Sequence, residues 1–211
     1  MLKKILFLFK SGSPISIIIL FIIHKISNIF SKKEIKIEKK FFLNLISKLR
    51  ISSEFFSVNA YNFLKYISPK APLFRYLEIG SFEGGSAIYV SSKFRNSEIY
   101  CVDNWIKTED GYSNLDFKDV ESNFDYNISH FKNIHKVKLS SDNFFKKNTL
   151  NFDVIYIDGY HKAEQVFKDC INSWKFLNHN GIIICDDYIW NHYKEIVSNP
   201  CFAINQFLKT I

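Results

Sequence analysis

Cysteine is scarce in this sequence, which has four, and no two of them are spaced as C-x-x-C. Close cysteine pairs are the usual ligands of structural zinc, so a zinc-binding fold is disfavoured. Cys101 and Cys185 fall in predicted strands, and Cys170 falls on the apolar face of a predicted helix. Buried, unpaired thiols are typical of proteins in a reducing compartment, which predicts a cytoplasmic location.

Apolar runs of membrane-spanning length are also missing at the N-terminus. The two runs there cover residues 5–9 and 15–23, and both fall short of the roughly 18–20 residues that a span requires. The second run precedes a lysine-rich segment but no small-residue cleavage site, which argues against a signal peptide.

A net positive charge is missing from the main part of the chain. Residues 1–50 have eleven Lys or Arg against two Glu, a net charge of +9, whereas residues 51–211 have seventeen against nineteen acidic residues, a net charge of −2. Together they account for the overall +7. A nucleic-acid-binding domain carries its positive charge on the folded body, so we expect no nucleic-acid partner.

The basic charge belongs to an N-terminal arm, residues 1–36, which has three interpretations. The arm is a helix packed on its own domain or on a partner subunit, a helix lying on a membrane surface, or a single span. Apolar runs flanked by lysines are typical of surface helices on anionic headgroups. Peripheral contact with the inner face of the membrane and homo-oligomer formation therefore both stay open.

A helical lead-in, residues 37–72, follows the arm. Its apolar residues recur at helical spacing in two groups, which predicts two helices with a break near Ile51. Pro69 and Pro72 end this part, because proline cannot continue a helix. The main domain is therefore predicted over residues 73–211.

Two apolar runs in this domain predict strands that are buried on both faces. VIYI at residues 154–157 precedes Asp158-Gly159, and IIIC at residues 182–185 precedes Asp186-Asp187. Such continuous runs are typical of parallel sheets covered by helices. Between them lies a helical pattern that NHNG, residues 178–181, is predicted to end. Strand, helix and strand in this order form a right-handed βαβ unit.

Three further strands are predicted upstream, at residues 74–79, 98–102 and 135–139. Helical patterns follow each strand, including one near residues 116–129, and a last helix covers residues 199–208. The order of elements predicts an α/β domain with five parallel strands in the order 3-2-1-4-5 and helices on both faces.

Acidic residues follow several of these strands. Ligands of open α/β sheets bind at the carboxyl ends of the strands, where Asp158, His161, Asp186 and Asp187 fall. Asp103 ends the second strand, where it either binds a ribose diol or caps a turn. Two roles also compete for Asp142 after the third strand, contact with a base ring or helix capping.

The segments in this order resemble the class I S-adenosylmethionine-dependent methyltransferases. LEIGSFEGGSA is similar to their first motif and CVDNW to their acidic second motif. DGYH, a helix ending in W-x-x-L, and DDY-x-W resemble a subgroup that includes macrocin-type sugar O-methyltransferases and cephalosporin-hydroxylase-like proteins. The resemblance covers roughly residues 74–208.

This resemblance implies two halves of one site. S-adenosylmethionine is expected against the first loop, with Asp103 on its ribose hydroxyls and Asp142 near its adenine. Mg²⁺ or another divalent cation is expected on Asp158, Asp186 and Asp187, with His161 as the general base. The residues implied for the first loop are Glu78, Gly80, Ser81 and Gly84.

Two features complicate the resemblance. Neighbouring strand residues point to opposite faces, so Asp186 and Asp187 can share a cation only if the strand ends or bulges there. Class I domains also normally add a β-hairpin after the helix that ends here near residue 208. No residues remain for that hairpin, so the sheet is expected to stop at five strands, with truncation as one explanation.

The function expected from the resemblance is Mg²⁺-assisted O-methylation of a hydroxyl on a sugar or glycoconjugate, as in glycan biosynthesis. One alternative is a nucleotide-binding or nicotinamide enzyme, but the loop E-x-G-x-x-x-G-G lacks the dinucleotide pattern G-x-G-x-x-G. The other alternative is a non-catalytic, membrane-associated remnant of a methyltransferase.

Overall fold

The computed structural model describes residues 1–67, 74–109 and 115–211. The predicted start of the main domain near Pro69 and Pro72 lies outside these residues. The helices are α1 (Leu2–Lys10), α2 (Ile15–Phe30), α3 (Lys32–Ile46), α4 (Ala60–Ile67), α5 (Gly85–Lys93), α6 (Phe117–Ile128), α7 (Ser141–Lys147), α8 (Ala163–Lys175) and α9 (Pro200–Phe207). The strands are β1 (Arg75–Ile79), β2 (Glu98–Asp103), β3 (Ile134–Lys138), β4 (Phe152–Ile157) and β5 (Leu177–Cys185).

The strands form one parallel sheet in the order β3-β2-β1-β4-β5, which confirms the predicted topology. In the central strand, Ile79 pairs with Val102 of β2 and with Ile157 of β4. Three neighbouring strands therefore end at nearly the same level. Their carboxyl ends create the sheet edge at which the polar residues after β1, β2 and β4 meet.

Both faces of the sheet are covered, because its central strands are apolar on both sides. One core joins Tyr76, Cys101 and Tyr156 to α3–α6. The other joins Leu77 and Ile155 to α7, α8 and α9. The alternation of successive β1 residues between the two cores follows from the two-residue period of a strand.

The predicted end of α8 is wrong. The helix stops at Lys175, and β5 begins at Leu177, so the NHNG segment lies inside the strand. Asn180 does adopt a left-handed conformation, with φ of +60°. It does so at a bulge, where the β4–β5 register shifts between Phe152 and Val154. The polar segment therefore bends a long strand instead of ending a helix.

The described residues after β5 contain a short 3-10 helix, Ile196–Ser198, and α9, and they add no strand to the sheet. α6 and α9 match their predicted ranges to within one residue at each end. The predicted boundary after residue 36 falls within α3, which runs without a break from Lys32 to Ile46.

The turn between α1 and α2 docks on the main domain through buried polar contacts. Asn205 of α9 donates from Nδ2 to the Ser11 carbonyl oxygen and to Ser13 Oγ, both at 3.2 Å. The Tyr188 hydroxyl also donates to Ser13 Oγ, at 2.9 Å. A small apolar cluster of Leu8, Ile18 and Cys201 completes the contact. At least the inner side of the arm is therefore packed on its own domain.

Among the described helices, none alone has the length and hydropathy of a membrane span. α2 and α3 meet that test only as a pair, and they are bent by 83° relative to each other.

Candidate active site

A cavity of about 1320 Å³ opens over the carboxyl ends of β1, β2, β4 and β5. It lies at the sheet edge that the sequence predicted as the ligand site. Among its lining residues are Gly80, Ser81, Asp103, Asp142, Asp158, His161, Asp186 and Asp187. The cavity therefore brings together eight of the ten residues predicted from sequence.

Gly80 allows the loop after β1 to pass close to the end of β4. Its φ is +86°, and a Cβ at this position would lie 2.2 Å from the Asp158 carbonyl oxygen and 2.5 Å from Gly159 Cα. Any larger residue would therefore overlap backbone atoms. Gly84, with φ of +83°, caps α5 at the far end of the loop. The loop between them, residues 81–83, forms one wall of the cavity.

Asp103, at the end of β2, holds this loop in shape. Its Oδ2 accepts hydrogen bonds from the backbone N–H groups of Ser81 and Phe82, at 2.9 and 3.0 Å. Its Oδ1 accepts from Trp105 N at 2.8 Å. Burial raises the pKa of Asp103, and the N–H donors partly offset that rise. Asp103 also lines the cavity, where its carboxylate can face a ligand hydroxyl.

A compact acid–imidazole cluster lies on the other side of the cavity. His161 Nε2 is 2.8 Å from Asp187 Oδ2 and 3.6 Å from Asp158 Oδ1. One donor atom from each of the three residues lies within 4.8 Å of the others, a spacing that a single metal ion can bridge. Two carboxylates and an imidazole are ligands that divalent cations accept.

Asp187 reaches His161 because the strand has ended. β5 stops at Cys185, and Asp187 adopts a left-handed conformation with φ of +54°. The extended geometry that would send Asp187 to the opposite face is therefore lost. This is the departure from strand geometry that the sequence required before Asp187 and a neighbouring acid could share one site.

Asp186, which the sequence predicts as a third cation ligand, forms hydrogen bonds with neighbouring residues. Its Oδ2 accepts from Asn59 Nδ2 at 2.9 Å and also from the Tyr156 hydroxyl. Its Oδ1 accepts from Asp187 N at 2.8 Å. The compact donor cluster contains His161 in its place. The structure therefore groups Asp158, His161 and Asp187, with Asp186 beside them and bonded to the protein.

Residues 77–188 match the family described as a methyltransferase domain, and this span is just over half of the chain. The chain belongs to this methyltransferase family.

The family match is accompanied by one curated relative. Uncharacterized protein R132 of Acanthamoeba polyphaga mimivirus is 32% identical over 122 residues, which are 54% of this chain and 51% of that protein. The chain therefore matches about half the length of this relative.

Solved structures share the fold of this methyltransferase domain at low identity. A Klebsiella pneumoniae protein described as an O-methyltransferase has a TM-score of 0.56 at 13% identity, over 82% of this chain and 76% of that one. A Staphylococcus aureus protein described as a caffeoyl-CoA O-methyltransferase has a TM-score of 0.53 at 16% identity, over 88% and 83%. The mycinamycin-pathway methyltransferase MycE, solved with Mg, SAH and mycinamycin VI, has a TM-score of 0.55 at 15% identity, over 80% and 47%.

Glu78 of the methyltransferase motif does not line the cavity. Its side chain is fully buried behind the loop, where Oε1 accepts from Ser86 Oγ and Oε2 from the Tyr76 hydroxyl, both at 2.9 Å. Burial raises the pKa of Glu78 to about 8. Gly84 also lies outside the lining and faces Phe124. The structure therefore places both residues in support of the loop instead of at the cavity wall.

The buried Glu78 predicts a pH dependence of stability. Between its ordinary pKa of 4.5 and its folded pKa of about 8, the folded state keeps a proton that the unfolded state has lost. Stability therefore falls as pH rises through this window. Glu78→Gln should reduce the fall between pH 5 and pH 8 by more than about 1.4 kcal/mol, the equivalent of one pKa unit. Urea denaturation of both proteins at pH 5 and pH 8 measures the free energy of unfolding and so gives this difference.

Glu164→Gln is the matched control for Glu78→Gln, because the Glu164 side chain on α8 is 76% exposed. It should keep the wild-type pH dependence. An equal slope in wild type and Glu78→Gln would show that Glu78 is ionised in the folded state.

Asp142 lines the cavity at the start of α7. The hydrogen bond that caps this helix comes from Ser140, whose Oγ accepts from Asn143 N. Gln165 of α8 donates to Asp142 Oδ1 at 3.1 Å. Ser140 therefore carries out the capping that was one of the two roles predicted for Asp142. Asp142 is left as a polar group of the cavity wall.

Tyr156 and Asn59 are site residues that sequence reasoning missed. The Tyr156 hydroxyl contacts both Asp158 Oδ2, at 2.8 Å, and Asp186 Oδ2. The single phenol proton is therefore shared between two carboxyl groups. Burial raises the pKa of Asp158 to about 7 and also raises the pKa of Asp186. The sequence could have indicated Tyr156 through its position two residues before Asp158, because residues two apart lie on the same face of a strand.

Proposed function

We propose that this protein is an S-adenosylmethionine-dependent methyltransferase that methylates a hydroxyl group of a sugar or glycoconjugate with the help of a divalent cation. The observation that carries the proposal is one cavity with two distinct halves. The glycine loop and Asp103 form one half, and the cluster of Asp158, His161 and Asp187 forms the other. The DGYH and DDY segments, which supply the second half, also support the narrower subgroup with macrocin-type enzymes.

The loop half fits S-adenosylmethionine, which supplies an electrophilic methyl group when bound. Gly80 lines the cavity, and its close packing on the end of β4 keeps the loop near the sheet edge. Asp103 lines the cavity at the end of β2, where a ribose diol would lie in this fold, and Asp142 adds a polar group after β3, on the side of the adenine. These residues bind and orient the methyl donor, and positioning of this kind supplies much of the rate of a transfer reaction.

The acidic half fits a divalent cation, which would bind a hydroxyl and make it more acidic when present. The carboxylates of Asp158 and Asp187 suit Mg²⁺, and the imidazole nitrogen of His161 makes Mn²⁺ equally acceptable. Tyr156 and Asn59 fix the neighbouring Asp186 through hydrogen bonds. Tyr156 also donates to Asp158, so one acid of the cluster is held by a partner that is not itself a ligand.

His161 is the proposed general base, and its position allows that role. Its Nε2 faces the same space as the two carboxylates, and Trp190 lies against its ring with a centroid distance of 4.8 Å. One nitrogen either accepts a proton or binds a cation at a given moment. If His161 is the base, its replacement by Ala leaves cation affinity nearly unchanged; if it is a ligand, cation affinity falls with activity.

The sugar-class acceptor is supported by the other groups around the cavity. Phe55, Phe82 and Trp190 present aromatic rings, and Asn59 and Asn62 present amides. A mixture of apolar surface and a few directed polar groups is typical of small-molecule sites. We also propose a reducing, cytoplasmic setting, which the free thiols of the four cysteines support.

Cofactor binding tests the proposal directly. Calorimetry of the folded chain with S-adenosylmethionine or S-adenosylhomocysteine should give a dissociation constant in the micromolar range. Asp103→Ala should weaken it about 10- to 100-fold, because charge-assisted hydrogen bonds to the ribose and the loop geometry are lost together. Glu164→Ala, on the exposed face of α8, is the control and should bind as wild type does.

A folded wild-type chain that binds neither molecule would contradict the proposal. It would favour the non-catalytic remnant instead. Circular dichroism of each variant separates loss of binding from loss of folding.

A further inference from the structure

α2 carries an apolar stripe that faces away from the protein. Ile15, Ile19, Ile23, Ile26 and Phe30 recur at intervals of three or four residues, so they share one side of the helix. Their exposed fractions range from 50% to 84%. A fully apolar helix side of this length, left in solvent, is unusual for the surface of a soluble domain.

α1 continues the same feature. Leu2, Leu6 and Phe9 also share one side of their helix and are 51–71% exposed. Among the described residues, ten of the twenty-three exposed large apolar side chains lie in α1 and α2. Exposed apolar residues are normally scattered singly over a surface. Their concentration in one helical pair therefore indicates an interaction surface.

The stripe is held outward by the docking of the arm. The buried contacts of Ser11 and Ser13 with Asn205 and Tyr188 tie the turn between α1 and α2 to the main domain. Leu8 and Ile18 occupy the inner side of the arm. The outer stripe therefore cannot turn inward without breaking these contacts.

The charge around the stripe identifies its partner. Residues 1–40 contain nine lysines and two glutamates. Lys3, Lys10, Lys32, Lys33 and Lys36 are all exposed. A basic, amphipathic helix of this kind complements an anionic lipid surface, where each nearby lysine contributes about 1 kcal/mol.

The opposite side of α2 forms part of the active-site cavity. Phe21, His24, Lys25 and Asn28 line it, at the intervals that place them on one side of the helix. Asn28 Nδ2 lies 3.0 Å from His24 Nε2. Burial lowers the pKa of His24, helped by Lys25 and Lys65, so its imidazole is neutral at neutral pH. One side of α2 is thus apolar and exposed, and the opposite side lines the cavity.

We propose that α1 and α2 bind the surface of an anionic lipid bilayer through the exposed stripe, and that α2 is at the same time a wall of the cavity. The membrane surface would then lie about one helix diameter, 10–12 Å, from the cavity. This distance suits an acceptor that belongs to the headgroup layer. Only that last consequence rests on the proposed function; the binding of the arm to lipid does not.

Vesicle co-sedimentation of the full chain tests the inference. Binding to vesicles of phosphatidylcholine with phosphatidylglycerol should be at least about 10-fold stronger than to phosphatidylcholine alone, because the lysines add an electrostatic contribution. The double variant Ile19→Glu/Ile23→Glu should lose at least about 10-fold of that binding, since two charges enter the apolar side. Val197→Glu, which places a charge on a 52% exposed residue outside the arm, should bind as wild type does.

Two results would overturn the inference. One is equal partition into both kinds of vesicle, or undiminished binding of the double variant. The other is a dimer in light scattering that the double variant dissociates, which would assign the stripe to a second copy of the chain. S-adenosylhomocysteine binding, measured in the same samples, shows that the variants are folded and separates failure of the lipid surface from failure of the methyltransferase assignment.

Discussion

Gly80→Ala is expected to lower the free energy of unfolding by about 3–5 kcal/mol. Two costs combine: a non-glycine residue at φ of +86° is strained by about 1–3 kcal/mol, and overpacking adds about as much again. The overlap falls on backbone atoms of Asp158 and Gly159, at 2.2 and 2.5 Å. Backbone at the end of a central strand cannot rotate away, so relief requires β1 and β4 to separate.

Two other glycines separate strain from overlap. Gly12 has φ of +68° but no atom within 4 Å of its Cβ position, so Gly12→Ala should cost only about 1 kcal/mol. Gly159→Ala meets its nearest atom at 3.4 Å, an ordinary contact, and should cost less than Gly80→Ala. Urea denaturation with unchanged m-values ranks the three variants. A loss at Gly80 no larger than that at Gly12 would contradict the close approach of the loop to β4.

The strand order could be predicted from two patterns that can be read within short stretches of the sequence, the apolar runs of the strands and the helical segments between them. Strands buried on both faces leave continuous apolar runs, as VIYI and IIIC do at residues 154–157 and 182–185. Helical segments between them permit parallel pairing, and the fixed handedness of these connections leaves few topologies. The NHNG segment at residues 178–181 was misread because its residues suit both a helix end and a bulge. The partner strand decides between the two, and its register is not visible in sequence.

The sheet edge of the site could be predicted from topology, whereas the contacts that each acidic side chain makes there could not. Topology alone brings Asp158, Asp186 and Asp187 to one place, since each follows a parallel strand. Asp187 reaches His161 only because it adopts a left-handed conformation. Aspartate adopts that conformation only occasionally, so the sequence does not show which of the two acids lies beside His161. Asn59 comes from the lead-in segment before α4, more than a hundred residues away in sequence, and no local pattern indicates such a contact.

Asp158→Asn and Asp187→Asn are each expected to weaken Mn²⁺ or Mg²⁺ binding by at least about 100-fold. Each removes a charged oxygen from the group of donor atoms that lie within 4.8 Å of one another. Asp186→Asn should weaken it by only about 10-fold, because that side chain acts through its hydrogen bonds to Tyr156 and Asn59, and supporting groups of this kind contribute less than direct ligands. Calorimetric titration of the full chain with each cation measures all three.

The comparison of Asp186→Asn with Asp187→Asn decides between the ligand set expected from sequence and the set that the structure groups together. Both variants remove one charge, and the two positions are adjacent, so a general electrostatic effect would weaken cation binding equally. A much larger loss at Asp187 supports the cluster with His161. A larger loss at Asp186 would instead support ligation by Asp186. Equal losses would be explained by a general electrostatic effect as well as by joint ligation, and they would contradict a ligand cluster that excludes Asp186. Unchanged S-adenosylhomocysteine affinity in both variants would show that the loop half of the cavity is intact, because its contacts with Gly80 and Asp103 do not involve these residues.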